Sequence, residues 1–108
     1  MALHEVITIA SSEAIGQVIR KGRRQNGALL SIQYLPASSG RVAFIASKRL
    51  GGAVWRNRAK RVLRAALVQA GGSRAGHDLL LIANTRTAES SSNEVAQELA
   101  TLFDKARI

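Results

Sequence analysis

The most informative absence in this sequence is that of carboxylates, because no Asp or Glu occurs between Ala14 and His77. The same stretch carries thirteen Lys and Arg residues, and the whole chain of 108 residues has a formal net charge of +9. From Asp78 onward, five acidic residues accompany three basic ones, so the excess positive charge belongs to the first two thirds of the chain. A charge distribution this one-sided favours an anionic partner.

Other residue types are also scarce, and each scarcity excludes something. The chain has no Cys, which excludes disulfides and thiolate metal sites, and its two His residues, His4 and His77, do not have the spacing of metal ligands. The longest apolar runs, residues 42–46 and 79–83, are far too short to span a bilayer, so we expect no membrane partner. The first residues do not combine a basic segment with an apolar one, so we expect no signal peptide and a cytoplasmic protein.

The remaining pattern predicts one domain over residues 1–108, with an aliphatic core under a small mixed sheet. Ser11 or Ser12 is expected to cap a first helix that Gly22 ends, and residues 90–93 to cap a last one. Strands are predicted at residues 29–35, 41–47 and 78–84, with a basic helix over about 53–70 before the third. The expected order is α-β-β-α-β-α, an α/β (α+β) sandwich. We expect the first two strands to pair antiparallel, and residues 6–9 to extend along a sheet edge.

Residues 47–64 form the most distinctive segment and read SKRLGGAVWRNRAKRVLR, with seven Lys or Arg and no acidic residue. Apolar residues recur there with helical spacing and predict one buried stripe: Trp55, Ala59, Val62, Leu63, Ala66, Leu67 and Ala70. Arg56, Lys60 and Arg64 succeed one another at i, i+4 beside this stripe. Asn57 and Arg61 are adjacent to that row, whereas Arg58 lies on the other flank.

This arrangement of charges works against the helix that carries it. Like charges at i, i+4 cost roughly 0.2–0.5 kcal/mol per pair, and the helix dipole disfavours a cation in the first turns, where Arg56 lies. A solvated helix face is the ordinary explanation of a charge run, but such a face interleaves Glu with its Lys and Arg. The row therefore predicts contact with a polyanion, whose phosphates Arg binds bidentately.

The segment resembles the signature of the bacterial ribonuclease P protein subunit, which carries a Ser-Lys-Lys-x-Gly-x-Ala-Val-x-Arg-Asn-Arg-x-Lys-Arg-x-x-Arg run. The resemblance is close over residues 40–105, including His77 to Ala83 and Leu102 to Lys105, and looser over residues 12–35. It implies a sandwich fold with a left-handed βαβ crossover that contains the basic helix. It also implies an accessory protein in an RNA-based endoribonuclease that removes the 5′ leader of precursor tRNA, with hydrolysis by Mg²⁺ held mainly by the RNA.

The resemblance further implies the partners and the site residues. The partners are the catalytic RNA subunit and precursor tRNA, with no protein partner evident. The residues that would face the RNA subunit are Arg56, Asn57, Arg58, Lys60, Arg61 and Arg64. The residues that would line a cleft for the single-stranded leader are Ile15, Ile19, Tyr34, Lys48, Arg49 and Arg86. Ile15 and Ile19 stand where the family usually has aromatic residues, and Arg86 is equally well explained as a solvated loop residue.

Alternatives to this interpretation remain open. The first is a structural or ribosomal-type RNA-binding protein without a catalytic connection. The second is a protein nuclease or a DNA-binding helix-turn-helix, which is disfavoured because a strand precedes the basic helix. Trp55 could stack on a base, although its place on the apolar stripe favours the core. His77-Asp78 could suggest a general base, although a capping role is simpler. We expect no catalytic residue in the polypeptide itself and assign it no metal ligand.

Overall fold

The part of the chain that the computed structural model describes, residues 8–9, 11–38 and 40–108, contains three α-helices and four strands. The elements are α1 (Ser12–Lys21), β1 (Arg23–Asn26), β2 (Leu30–Pro36), β3 (Val42–Ile45), α2 (Ala53–Gln69), β4 (His77–Ala83) and α3 (Ser92–Ala106). Short 3₁₀ turns, Lys48–Leu50 and Thr87–Glu89, precede α2 and α3. The predicted α+β class and element order are therefore confirmed, with β1 as an additional strand.

The four strands form one mixed sheet in the order β1-β2-β4-β3. β2 pairs antiparallel with both β1 and β4, and β3 pairs parallel with β4. The expected antiparallel pairing of the strands at residues 29–35 and 41–47 is wrong, because β4 lies between them. The physical reason is the composition of β4: Leu79, Leu80 and Leu81 are all buried, and a strand that is apolar on both faces belongs in the middle of a covered sheet.

Of the segment before α1, Thr8 and Ile9 lie along the outer edge of β3, as expected. Thr8 forms a parallel bridge with Val42, and the Ile9 N–H donates to the Val42 carbonyl at 2.8 Å. Val6 and Ile7, the other residues of that prediction, lie outside the described residues. At the other side of β3, α2 leads across the sheet to the parallel strand β4. The left hand of this crossover stays an expectation from the resemblance.

The two faces of the sheet have different covers. α2 and α3 pack on one face, over alternate residues of three strands such as Leu30, Val42 and Leu79. On the other face, Val18 of α1 packs against Ala43 and Leu80. Because successive side chains of a strand point to opposite faces, the parity of a residue decides which helix it meets.

Helix ends follow the capping chemistry that the sequence predicts. The Ser11 side chain accepts a hydrogen bond from the Ala14 N–H at the start of α1, and Gly22 ends that helix. Ser91 caps α3. After α2 the chain turns through Gly71 and Gly72, whose φ angles of 111° and 81° are costly for residues with a Cβ. The compact turn returns the chain to the start of β4.

Candidate nucleic-acid interface

The basic helix α2 is held to the fold by one narrow stripe. Ala59, Leu63, Ala66 and Leu67 are fully buried in the core. The opposite side of the helix is exposed over four turns and carries the polar and basic residues Asn57, Arg58, Lys60, Arg61 and Arg64. The predicted division of α2 into a buried stripe and a basic outer face is therefore what the structure shows.

A shallow groove runs along this outer face. It has a volume of about 570 Å³ and is lined by Val54, Asn57, Lys60, Arg61 and Arg64. The groove thus brings together four of the six residues predicted to face an RNA. Val54 was not predicted, although it is 77% exposed. The signal that could have found it is an apolar residue that stands off the apolar stripe, surrounded by cations.

The other two predicted residues lie apart from the groove. Arg58 is exposed, on the other flank of α2, as its angular position predicts. Arg56 is partly buried, and its Nη1 donates to the Gly51 carbonyl at 3.3 Å. Arg56, the first residue of the predicted row, therefore does not have a free guanidinium. It lies beside the buried stripe, and its hydrogen bond joins α2 to the loop before the helix.

The loop before α2 is shaped by a close approach. Trp55 packs on the core, which supports the core interpretation of this residue. A Cβ on Gly51 would lie 2.8 Å from the Trp55 ring, nearer than atoms can pack, so only glycine fits there. Just upstream, Ser47 accepts the Arg49 N–H at 3.1 Å and fixes a turn that leaves Lys48 and Arg49 exposed.

Arg64 is positioned by an aromatic ring. Its guanidinium carbon lies 5.1 Å from the centroid of Phe44 on β3, a cation–π distance. Phe44 itself packs partly against the core. The contact orients the last cation of the groove without neutralising it, so its charge stays available to a ligand.

Three carboxylates, those of Asp78, Glu94 and Glu98, form contacts away from α2. Asp78 forms a bidentate pair with Arg41, at 2.7 Å and 3.2 Å, which raises the pKa of that guanidinium mainly through the side-chain hydrogen bond. Glu98 accepts three backbone N–H groups, and Glu94 belongs to the cap of α3. Within the described ranges, no carboxylate oxygen comes within 4.0 Å of a basic nitrogen of α2. The positive charge of the groove is therefore not compensated by these residues.

A second surface lies beside α1. This helix crosses the end of the sheet where β4 begins: Ala14 and Gln17 line a groove with Asp78, and Lys21 lines another with His77. Toward the other end of the same face, Ile45 and Ile82 are neighbours in the β3–β4 register and stay partly exposed. The result is a concave face with α1 as its wall and two isoleucines, both missed by sequence reasoning, on its floor.

The predicted cleft residues divide over this surface and its surroundings. Ile15 packs partly against the sheet and Ile19 is 54% exposed, both on α1. Lys48 and Arg49 follow β3, and Arg86 follows β4. Because the carboxyl ends of parallel neighbours meet at one edge, these three exposed cations lie at the same end of the sheet.

The placement of Tyr34 in this cleft is wrong. Its ring is 7% exposed and lies in the core under α2 and α3, on the opposite face from Ile15. Gln33, its neighbour, pairs with Leu80 and so lies on the α1 face instead. Along β2, Leu30, Ile32 and Tyr34 alternate with Ser31 and Gln33, so the period-2 pattern itself places Tyr34 on the apolar face that the core covers.

His77-Asp78 is structural in its observed contacts. Asp78 is buried in the pair with Arg41, and the His77 ring meets Tyr34 edge-on. Arg74, just upstream, stacks on the Phe103 ring at 4.0 Å and donates to the Ala70 carbonyl. Burial lowers the pKa of Arg74, and the charge of Asp104 opposes that shift.

In the described part of the chain, no helix is long and apolar enough to span a membrane.

Fold and site together define a small α+β domain that presents an uncompensated basic helix beside a concave sheet face. A family model described as Ribonuclease P matches residues 3–107, and the chain belongs to this family. A ribonuclease P protein component from Dehalococcoides mccartyi is 37% identical over 93% of this chain and 84% of the relative. One from Thermus scotoductus is 39% identical over 83% of this chain and 54% of the relative.

Solved structures agree on the fold. The RNase P protein of Staphylococcus aureus superposes with a TM-score of 0.78 at 19% identity, covering 96% of this chain and 98% of that one. The RNase P protein of Thermotoga maritima gives a TM-score of 0.72 at 16% identity, covering 94% and 97%. The resemblance found in residues 47–64 is therefore confirmed at the level of family and of fold.

Proposed function

We propose that this chain is the protein subunit of a ribonuclease P ribonucleoprotein, in which it binds the catalytic RNA and assists removal of the 5′ leader from precursor tRNA. The observation that carries the proposal is the basic groove of α2, whose cations have no carboxylate partner in the described part of the chain. Membership of the Ribonuclease P family supports the same function. A cytoplasmic location belongs to the proposal.

The groove on α2 is suited to an RNA backbone. Lys60, Arg61 and Arg64 line one surface, and a phosphate chain lying along it would remove their mutual repulsion. Charge-assisted hydrogen bonds to phosphate are stronger than neutral ones, and Arg forms them in pairs. If about five phosphates are neutralised, affinity should fall with salt with a log–log slope of about −4.

The concave face beside α1 is proposed as the site of the single-stranded leader. Ile45 and Ile82 give it an apolar floor, and Lys48, Arg49 and Arg86 lie at one end of it. Stacking of a base on an aromatic side chain contributes about 1–3 kcal/mol per base. Aliphatic residues can pack against a base but do not provide this stacking. Ile15 and Ile19 therefore predict weaker leader binding than aromatic residues at those positions would give.

The Mg²⁺ of the reaction is assigned in this proposal to the RNA. Among the described residues, no group of three or more His, Asp or Glu side chains gathers into a metal site. Asp78 is committed to Arg41, and Glu98 to the backbone before β2. Both carboxylates are thus engaged within the protein, and the role proposed for the polypeptide is to bind and position RNA.

Reconstitution tests the function directly. The protein is mixed with a bacterial ribonuclease P RNA and a precursor tRNA at low millimolar Mg²⁺, and release of the 5′ leader is followed. We expect little cleavage by the RNA alone, none by the protein alone, and cleavage by both together. Cleavage by the protein alone would indicate a nuclease, and binding without stimulation would indicate a structural RNA-binding protein.

A further inference from the structure

A separate pocket lies at the end of the sheet where β4 begins. Its volume is about 300 Å³, and its lining includes Lys21, Arg23, Tyr34, Pro36, His77 and Ala106. We name it the Tyr34 pocket. Its mouth is at the opposite end of the seven-residue strand β4 from Arg86, roughly 20 Å away at the usual rise per residue. It therefore lies away from the cations of the proposed leader cleft, although Lys21 belongs to α1, the wall of that cleft.

The rim of the Tyr34 pocket is cationic. Lys21 ends α1 and Arg23 begins β1, so the short connection through Gly22 places both side chains at one mouth. Both are exposed, and no described carboxylate lies within 4.0 Å of either. Two free cations beside a pocket fit a phosphate, which accepts hydrogen bonds from Lys and Arg.

The wall of the pocket is aromatic and contains an unsatisfied polar atom. The Tyr34 and His77 rings meet edge to face, with centroids 6.3 Å apart at 64°. Nδ1 of His77 is buried and has no hydrogen-bond partner among the described residues. A buried polar atom without a partner is unfavourable, and a ligand with a complementary hydrogen-bonding edge would satisfy it. Pro36 and Ala106 add apolar surface for a planar group.

We propose that the Tyr34 pocket binds one nucleotide, with its base against Tyr34 and His77 and its phosphate on Lys21 and Arg23. A base offers both a π face and a hydrogen-bonding edge, and 300 Å³ is at the lower limit of small-ligand pockets. The ligand is a nucleoside monophosphate unit, either free or as an unstacked nucleotide of an RNA strand. The pocket shares α1 with the leader cleft through Lys21 but opens at the other end of the sheet from Lys48, Arg49 and Arg86.

The chain provides its own reporters for a test by NMR. Tyr34 is its single tyrosine, and His77 is one of two histidines, so their ring signals are readily assigned. Uridine and adenosine monophosphates are titrated into the protein, with inorganic phosphate and the free nucleosides as separate probes. We expect both ring signals to shift and saturate with the monophosphates. Inorganic phosphate or nucleoside alone is expected to bind at least tenfold more weakly.

Two double variants locate the binding. K21Q with R23Q should weaken the response of the Tyr34 ring about tenfold or more, whereas R58Q with R61Q, which removes the same charge from α2, should leave it unchanged. A 5′-phosphorylated trinucleotide that shifts the same rings at tenfold lower concentration would assign the site to RNA; equal or weaker binding would assign it to free nucleotides. Shifts confined to α2, or an equal response to inorganic phosphate, would overturn the proposal.

Discussion

Helices α2 and α3 lie side by side on the same face of the sheet and use charge in opposite ways. α3 has Ser91 and Glu94 in a capping box at its start and Lys105 in its last turn, as the helix dipole favours. α2 begins at Gly52 without a side-chain cap, has no acidic residue in its first turn and no basic residue in its last. The charges at the ends of α3 complement its helix dipole, whereas the like charges along the groove of α2 repel one another.

The difference extends to the partners of these charges. The carboxylates of α3 contact the protein itself, through the cap and through the backbone before β2. The cations of the α2 groove line one open surface. Residues whose charges oppose their own helix are therefore better candidates for function than residues which are merely charged.

The largest effect is expected at Glu98 of α3. Its carboxylate accepts the N–H groups of Ala28, Leu29 and Leu30 at 3.0, 2.7 and 3.1 Å. Glu98→Ala leaves these donors unpaired in a partly buried site, so we expect the free energy of unfolding to fall by about 2 kcal/mol. Urea unfolding followed by the fluorescence of Trp55, the single tryptophan, measures it.

The control for Glu98 is its exposed neighbour. Gln97→Ala removes a side chain of similar size without touching the β1–β2 turn, and its unfolding midpoint should stay close to that of the parent. Equal midpoints for Glu98→Ala and Gln97→Ala would show that Glu98 does not stabilise this turn. The contrast between a stabilising charge on α3 and the uncompensated charges of α2 would then not hold.

The next largest effect is expected on RNA binding. K60Q with R61Q removes two groove cations, so affinity for the RNA subunit should fall about tenfold or more and the salt slope should decrease by about 2. The melting temperature should hold or rise slightly, because like-charge repulsion is relieved. K105Q with R107Q is the matched control, with the same net charge and unchanged binding. Filter binding over a series of salt concentrations measures both quantities.

Arg58 extends that experiment to the other flank of α2. Adding R58Q to the groove variant should lower the salt slope by about one further unit if the RNA wraps the outer face. An unchanged slope would confine the contact to the groove. If fold stability falls together with RNA affinity, Arg58, Lys60 and Arg61 stabilise the fold. That result would contradict their assignment to RNA binding.

The elements of this fold that carry a local signal were predictable. α2 was expected over residues 53–70 and spans Ala53–Gln69; β4 was expected over residues 78–84 and spans His77–Ala83. Both depend on periodicity and on nearby glycines, which act within a few residues. β1 was missed because Arg23–Asn26 is wholly polar and gains its pairing only from β2. Strand order was missed for a related reason, since the position of β4 follows from competition among strands distant in sequence.

The residues of the candidate site also differ in whether local sequence determines their placement. The basic face of α2 followed from its sequence because angular position on a helix is a local property. The alternation along β2 places Tyr34 on the apolar face, whereas the register of β2 with β4 depends on residues distant in sequence, and a shift of one residue exchanges the two faces. Arg56 shows a third limit, because a hydrogen bond to Gly51 has no signature in spacing.

A smaller effect is expected when the dipole of α2 is repaired. Val54→Glu places a carboxylate in the uncapped first turn, so the free energy of unfolding should rise by about 0.5 kcal/mol. The same carboxylate enters the RNA groove, so affinity for the RNA subunit should fall. Val68→Glu, in the last turn of the same helix, should lower stability instead. Thermal unfolding and filter binding are measured for both variants. For Val54→Glu, stability should rise while RNA affinity falls. If both quantities change in the same direction, RNA binding and helix stability do not compete in α2.

The smallest effect concerns the cap of α3 and depends on pH. Hydrogen bonds from the Ser91 backbone and side chain lower the pKa of Glu94 below its ordinary value of 4.5. A lowered pKa means that the carboxylate binds its proton less readily in the folded state, so the stabilisation is complete above about pH 4.5 and declines as pH falls through the folded value. Glu94→Gln should therefore melt below the parent at pH 7, and the difference should shrink near pH 3. Glu89→Gln, an equal change of charge outside the cap, serves as the control. A difference that persists undiminished in acid would mean that the cap does not depend on the ionised side chain.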